Sequence, residues 1–182
     1  MRLVLLDRDG VINVDRDDSV KSVGEFVLLP KVISAIKQFN ENNVPVAVVT
    51  NQAVVGRGIL SQMGLQEIHD HLERLLNNNG ARVDKIYTCT SCDDAHPDRK
   101  PNPGLVNQAL RDFQVDSRDA VFIGDALRDL QAAHKAGCGR ILVRTGKGEV
   151  TLENGLPEEL LPVEIFDDLY DASCYIVERV TC

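Results

Sequence analysis

What constrains this chain most is a rhythm of short apolar runs spaced too far apart to be hairpins. Arg2–Leu6, Pro45–Val49, Lys85–Thr88, Ala120–Ile123 and Arg140–Val143 read as strands, the third being the weakest. Between them, Pro30–Asn40, Ser61–Asn79, Pro103–Phe113 and Ala126–Ala136 carry helix signals. Pro30 and Pro103 suit a first helical turn, Ser61 an N-cap, and Gly80 and Gly137 helix ends. Apolar strands alternating with helices predict a parallel sheet covered on both faces, a Rossmann-like three-layer α/β/α domain. Val163–Phe166 and Asp167–Val180 add an edge strand and a helix. No repeat, low-complexity tract or Pro/Ser-rich linker breaks the pattern, so residues 1–182 are expected to form one domain.

Charge and termini narrow the function classes. Twenty Lys and Arg against twenty-eight Asp and Glu leave a net charge of −8, which argues against a nucleic-acid binder needing a basic face. A small phosphorylated substrate, held by a few local cations, stays compatible with that balance. The four apolar residues Leu3–Leu6 are too few for a secretory segment, and no run approaches the ~18 of a membrane span. Five cysteines, an odd number without an export signal, lead to an expectation of reduced thiols in a cytoplasm and no membrane partner. The chain is expected to be monomeric.

In parallel α/β sheets ligands sit at the carboxyl ends of the strands, so the polar residues there carry the chemistry. The first strand ends in Asp7-Arg8-Asp9-Gly10, the second in Thr50-Asn51-Gln52 and the fourth in Gly124-Asp125; Arg99-Lys100-Pro101 lies in the loop after the third. Asp7 and Asp9, two residues apart, can share a crevice, and close carboxylates repel unless a cation or proton separates them. With Asp125 they form a hard oxygen site suited to Mg²⁺. Thr50 and Asn51 offer neutral donors and Lys100 a positive charge, as a phosphoryl group requires. Asp7 could then attack phosphorus, and Asp9 could exchange protons with the leaving group and water.

These segments, Asp7-Arg8-Asp9-Gly10-Val11-Ile12-Asn13, Val49-Thr50-Asn51-Gln52, Arg99-Lys100-Pro101 and Ile123-Gly124-Asp125 with Asp129, resemble the haloacid dehalogenase (HAD) superfamily of phosphatases. The likeness is greatest to the branch holding heptose bisphosphate and histidinol-phosphate phosphatases. It covers roughly residues 2–148, with Gly56-Arg57-Gly58 and Val143-Arg144-Thr145-Gly146 included. The resemblance implies Asp7 as nucleophile, Asp9 as general acid/base, Thr50 and Asn51 as phosphate ligands, and Lys100 as charge balance. It implies Mg²⁺ on Asp7, Asp125 and the backbone carbonyl of Asp9. Asp129 either orients the metal's waters or is a solvated helix residue, and Arg57 and Arg99 match positions that contact the rest of the substrate. The intervals where relatives insert a cap, about twenty residues after Gly10 and about fourteen after the third strand, are too short to fold alone, so no separate cap domain is expected.

The loop before Arg-Lys-Pro departs from that branch. Relatives commonly hold a structural zinc there with a Cys-x-His and a Cys-x-Cys pair. Here Cys89 matches the first ligand, Ser91 replaces the His, His96 and Asp98 stand at the second pair, and Cys92 is an additional thiol. Cys89, Cys92, His96 and Asp98 could make a tetrahedral set, but the short loop and the Asp make a metal-free loop the expectation. His69, His71 and His134 read as surface or packing residues; Cys138, Cys174 and Cys182 carry no motif. The function implied is a Mg²⁺-dependent phosphomonoesterase acting through an aspartyl-phosphate. The first substrate is D-glycero-D-manno-heptose 1,7-bisphosphate, taken to the 1-phosphate on a route to lipopolysaccharide precursors. The rival readings are histidinol phosphate as substrate, or a phosphate-binding module without turnover.

Overall fold

The computed structural model describes residues 1–180, so Cys182 lies outside the described residues. Six strands form one parallel sheet: β1 (Leu3–Leu6), β2 (Val46–Asn51), β3 (Lys85–Cys89), β4 (Ala120–Gly124), β5 (Gly139–Val143) and β6 (Glu164–Phe166). Their order is β3-β2-β1-β4-β5-β6. The chain grows outward on one side of β1, then returns to pair β4 with β1 in the register Leu3–Ala120 to Leu6–Ile123. That reversal opens a crevice at the carboxyl ends of β1 and β4, where open α/β sheets bind ligands.

Alternation along the strands divides the core into two layers. Val4, Leu6, Val46, Val48, Val121, Ile123, Ile141 and Val143 face α1 (Val32–Glu41), α3 (Gln62–Asn77) and α7 (Leu169–Val180). Leu3, Leu5, Ala47, Val49, Ala120 and Phe122 face α4 (Gly104–Phe113) and α5 (Leu127–Ala136). Both faces are thus covered, as the unbroken apolar runs require. The regions after β1 and β3, where a cap could be inserted, hold turns and loops and one short 3₁₀ segment, Val23–Glu25.

Local chemistry shifts several boundaries. Pro30 precedes α1 by two residues because Lys31, at φ 60°, forms the N-cap. Pro103 is itself the N-cap of α4 instead of a first-turn residue. Ser61 caps α3 as its sequence suggests, accepting from the Gly64 N–H at 2.9 Å. Gly137 ends α5 at φ 81°, whereas α3 stops at Asn77, before Gly80. β2 runs on to Asn51, carried by pairing of Thr50 with Thr88 and Asn51 with Cys89. Two short helices, α2 (Ala53–Gly56) and α6 (Gly148–Glu153), carry no readable period.

Helix α1 buries Val32, Ala35, Ile36 and Phe39, a spacing that gives one apolar stripe. Phe39 is fully buried in the layer that also holds Leu169, Ala172 and Ile176 of α7. Phe39→Ala should lower the unfolding free energy by about 3–5 kcal/mol, through lost burial and the cavity left behind. Urea titration followed by circular dichroism measures this; a loss below about 1 kcal/mol would contradict the packing.

Candidate active site

At the carboxyl ends of the strands, four charged side chains converge in a buried cluster. Asp7 follows β1, Asp125 follows β4, Asp129 lies in the first turn of α5, and Lys100 comes from the loop after β3. All four are at most 3% exposed. Lys100 Nζ lies 2.9 Å from Asp7 Oδ1 and 2.7 Å from Asp129 Oδ1, and donates to the Val49 carbonyl at 2.9 Å. Burial alone would push the lysine towards its neutral form, but Asp129 and Asp7 outweigh it and raise its pKa. Asp7 Oδ1 also accepts from the Arg8 N–H at 2.7 Å.

Lys100 is the one cation paired with this cluster, with the Arg128 guanidinium acting from farther off, so three carboxylates stay under-neutralised. Ligand atoms of Asp7, Asp125 and Asp129 all lie within 4.8 Å of one another, the one such trio found among the described residues. Burial, then Asp7 and Asp129, push Asp125 up to about 8; burial, opposed by Lys100, takes Asp7 to about 6. Asp125 Oδ2 accepts from the Lys147 N–H at 2.8 Å, whereas its Oδ1 is buried without a hydrogen-bond partner. Gly10 and Gly146, at φ 86° and 57°, press against Asp125 so closely that a Cβ on either would collide with its carboxylate. An all-oxygen donor set, an excess of negative charge and an orphaned carboxylate oxygen fit a hard divalent cation. Asp129 is fully buried, paired with Lys100, and accepts from the Ala126 N–H at 3.1 Å, so the solvated-residue alternative does not hold.

Asp9 stands apart from this trio. Its Oδ1 accepts from Arg8 Nη2 at 3.0 Å and Asn13 Nδ2 at 2.9 Å; its Oδ2 accepts from Arg8 Nη2 at 3.1 Å and Gln52 Nε2 at 2.7 Å. Burial would raise its pKa, but the Arg8 charge and these hydrogen bonds overcome it and hold Asp9 below the ordinary carboxylate range. The Asp9 carboxylate is thus taken up by Arg8, Asn13 and Gln52 and stands outside the trio that could hold a metal. Behind it, Arg8 Nη1 meets His69 Nε2 at 3.2 Å, and burial plus the arginine push His69 down to about 4. An imidazole nitrogen facing a guanidinium must accept, so His69 is neutral and protonated on Nδ1.

The remaining expected residues take varied positions. Thr50 Oγ1 accepts from Gln52 Nε2 at 2.9 Å. The Asn51 amide exchanges two hydrogen bonds with the Lys100 backbone, at 3.0 and 3.1 Å, so its side chain places the lysine, and it also lines the polar cleft with a second Nδ2 hydrogen to give. A polar cleft of about 220 Å³ is lined by Asp9, Gln52, Arg57, Arg99, Arg128 and Lys147 among others, and shares Asp9 and Gln52 with the network just described. Arg99 reaches that cleft while pairing with Asp94 at 2.9 Å. In the cysteine loop, Cys89 Sγ lies 3.8 Å from His96 Nδ1, but Cys92 Sγ turns to the Ala53 carbonyl at 3.4 Å, and His96 Nδ1 accepts from the Asp98 N–H at 3.2 Å. Arg8, Asn13, Gln52, His69, Arg128 and Lys147 are site residues that the reading of strand ends passes over. Arg8, Asn13 and Gln52 were visible only as members of motifs, and the others left no local signal.

Residues 98–172 match the family described as HAD-hydrolase-like. The chain is 39% identical to a D-glycero-β-D-manno-heptose-1,7-bisphosphate 7-phosphatase of Neisseria meningitidis serogroup B, over 100% of this chain and 97% of that protein. This chain belongs to the HAD-like phosphatases. The enzyme of the same description from Bordetella bronchiseptica is 43% identical over 87% of this chain and 89% of its own length. The crystal structure of the B. bronchiseptica D,D-heptose 1,7-bisphosphate phosphatase, complexed with magnesium and phosphate, superposes with a TM-score of 0.92, covering 98% of this chain and 99% of that one at 39% identity. The six-stranded parallel fold is therefore the fold of this family.

The carboxylate trio gives a pH signature. Asp7 and Asp125 have folded-state pKa values raised above those of the unfolded chain, so the folded protein holds extra protons between about pH 4 and 8. Stability should fall as pH rises through that window. In EDTA, the melting temperature should drop by about 5–10 °C between pH 5 and pH 8.5, and a divalent cation should remove most of the drop. A melting temperature flat with pH in EDTA would contradict the under-neutralised cluster.

Proposed function

We propose that this chain removes the 7-phosphate of D-glycero-D-manno-heptose 1,7-bisphosphate, leaving the 1-phosphate, by way of a phosphoryl group carried on Asp7. The buried cluster of Asp7, Asp125, Asp129 and Lys100 at the sheet's switch point carries the phosphoryl-transfer part of this reading. The likeness over almost the whole chain to heptose bisphosphate phosphatases supports the sugar. The open cleft lined by Arg57, Arg99, Arg128 and Lys147 suits a substrate that carries a second anionic group away from the reacting phosphate.

In this reading Asp7 attacks phosphorus as the bond to the sugar oxygen breaks, and Asp9 gives that oxygen its proton. Asp9 then takes a proton from the water that attacks the phosphorylated Asp7, which regenerates both carboxyl groups. Lys100 stays between Asp7 and Asp129 and stabilises charge on the phosphoryl oxygens; the Thr50 hydroxyl donates to one of them. Mg²⁺, held by Asp7, Asp125 and the Asp9 carbonyl beside Asp129, would neutralise developing charge and orient a phosphoryl oxygen. The same reading takes residues 1–182 as one domain, acting as a cytoplasmic monomer without nucleic-acid or membrane partners. In its support, no helix among the described residues is long and apolar enough to cross a membrane, and the net charge is −8.

Phosphate release from both anomers of the heptose bisphosphate, from histidinol phosphate and from a sugar-phosphate panel tests the assignment. Turnover should require Mg²⁺, stop in EDTA and return on readdition. Asp7→Asn should abolish it, and Asp9→Asn should lower it about 10²–10⁴-fold. Preference for histidinol phosphate would replace the sugar assignment. Phosphate binding without turnover of any substrate would make the chain a binding module.

A further inference from the structure

The amide of Gln52 bridges two residues given separate tasks in the proposed reaction. Its Nε2 lies 2.7 Å from Asp9 Oδ2 and 2.9 Å from Thr50 Oγ1. An ionised carboxylate only accepts, so the NH₂ group, not the carbonyl, must face Asp9. The second amide hydrogen then goes to the Thr50 oxygen. A hydroxyl that accepts from Gln52 keeps its own proton free, to be directed at an incoming phosphoryl oxygen.

The partners of Asp9 are not equivalent. All three donors, Arg8, Asn13 and Gln52, are buried, but of them Gln52 alone is among the cleft-lining residues. Oδ1 accepts from Arg8 and Asn13, whereas Oδ2 accepts from Arg8 at 3.1 Å and, more closely, from the cleft-lining Gln52 at 2.7 Å. Helix α2 begins directly after Gln52, and the Gln52 N–H is anchored on the Cys89 carbonyl at 2.7 Å, so its amide is presented from a fixed backbone.

We infer that Gln52 is a positioning residue for both halves of the reaction: it aims Asp9 Oδ2 at the leaving oxygen and sets Thr50 as a donor to the phosphoryl group. The inference rests on the proposed phosphatase activity. Asp9, ionised at rest, takes up a solvent proton on Oδ2 when the substrate's negative charge is in place; in the first step that proton moves to the sugar oxygen as that oxygen leaves phosphorus and the Asp7–phosphorus bond forms. Losing Gln52 leaves Asp9 held by Arg8 and Asn13 alone, with Oδ2 keeping only the longer Arg8 contact at 3.1 Å.

Such a role predicts dependence on the leaving group. An alkyl phosphate needs the proton from Asp9, whereas 4-nitrophenolate leaves without one. The constant kcat/KM reports steps only through leaving-group departure, so hydrolysis of the phosphorylated enzyme does not enter. Gln52→Met, of similar size, should lower kcat/KM about 10²-fold on the heptose bisphosphate and less than about 10-fold on 4-nitrophenyl phosphate. Gln52→Glu, which places acceptors where Asp9 needs a donor, should show the same inequality, and serves as the second variant if the Met protein does not fold. Inhibition by vanadate should weaken in both, through loss of the ordered Thr50 donor. Equal losses on the two substrates, or none, would overturn the inference while leaving the phosphatase assignment intact. Wild-type protein inactive on both substrates would overturn the assignment and the inference together.

Discussion

An ammonium buried between two carboxylates organises this protein's catalytic end. Lys100 must reach Asp7 and Asp129 from a loop that neither shares, and its Nζ is also held by the Val49 carbonyl of β2. A buried charge without partners would cost several kcal/mol, so the loop before Pro101, the end of β2 and the start of α5 have to arrive together. The Asn51 amide, paired with both backbone groups of Lys100, completes this joint. The sheet supplies the frame, since β1, β2 and β4 are adjacent and parallel.

Beside that joint lies a second network with the opposite charge balance. Asp7 and Asp125 are pushed upward by burial and by neighbouring carboxylates, Asp129 for both, whereas Asp9, two residues from Asp7, is held down by a guanidinium and neutral donors. Neighbouring carboxylates thus acquire different proton affinities from their partners alone, a separation suited to assigning one to attack and the other to proton transfer. The resting Asp9 is ionised, and any proton it gives must be acquired in the presence of the substrate's own negative charge. Arg8 can serve Asp9 because His69, on a helix 61 residues away, accepts the far end of its guanidinium.

How much of this could be read in the sequence follows from the range of the interactions. The strands were legible because apolar runs bounded by polar residues are local, and the strand ends then pointed to Asp7, Asp9, Thr50, Lys100 and Asp125. The burial of Asp129 was not legible: its place one helical turn beyond Asp125 suits a solvated face equally well, and only the lysine from a distant loop decides it. Gln52 and His69 matter through partners 43 and 61 residues away, which no local pattern encodes. The four residues of α2 and six of α6 are too short to show a helical period. Helix starts at Pro30 and Pro103 were displaced because the capping positions are set by turn geometry, not by proline's preference alone.

The clasp of Gly10 and Gly146 around Asp125 also bears on the order in which the protein is made. β1, the first strand to leave the ribosome, is central, and its neighbours arrive as β2 and, much later, β4. Asp125 is added more than a hundred residues after Asp7, and the glycine and Lys147 N–H that close on it come later still. A nascent chain therefore exposes β1 without its second partner for most of translation, several seconds at ~5–20 residues per second. A chain ending before residue 146 would lack both the glycine and the Lys147 N–H that close on Asp125, so the acidic cluster is completed late in synthesis.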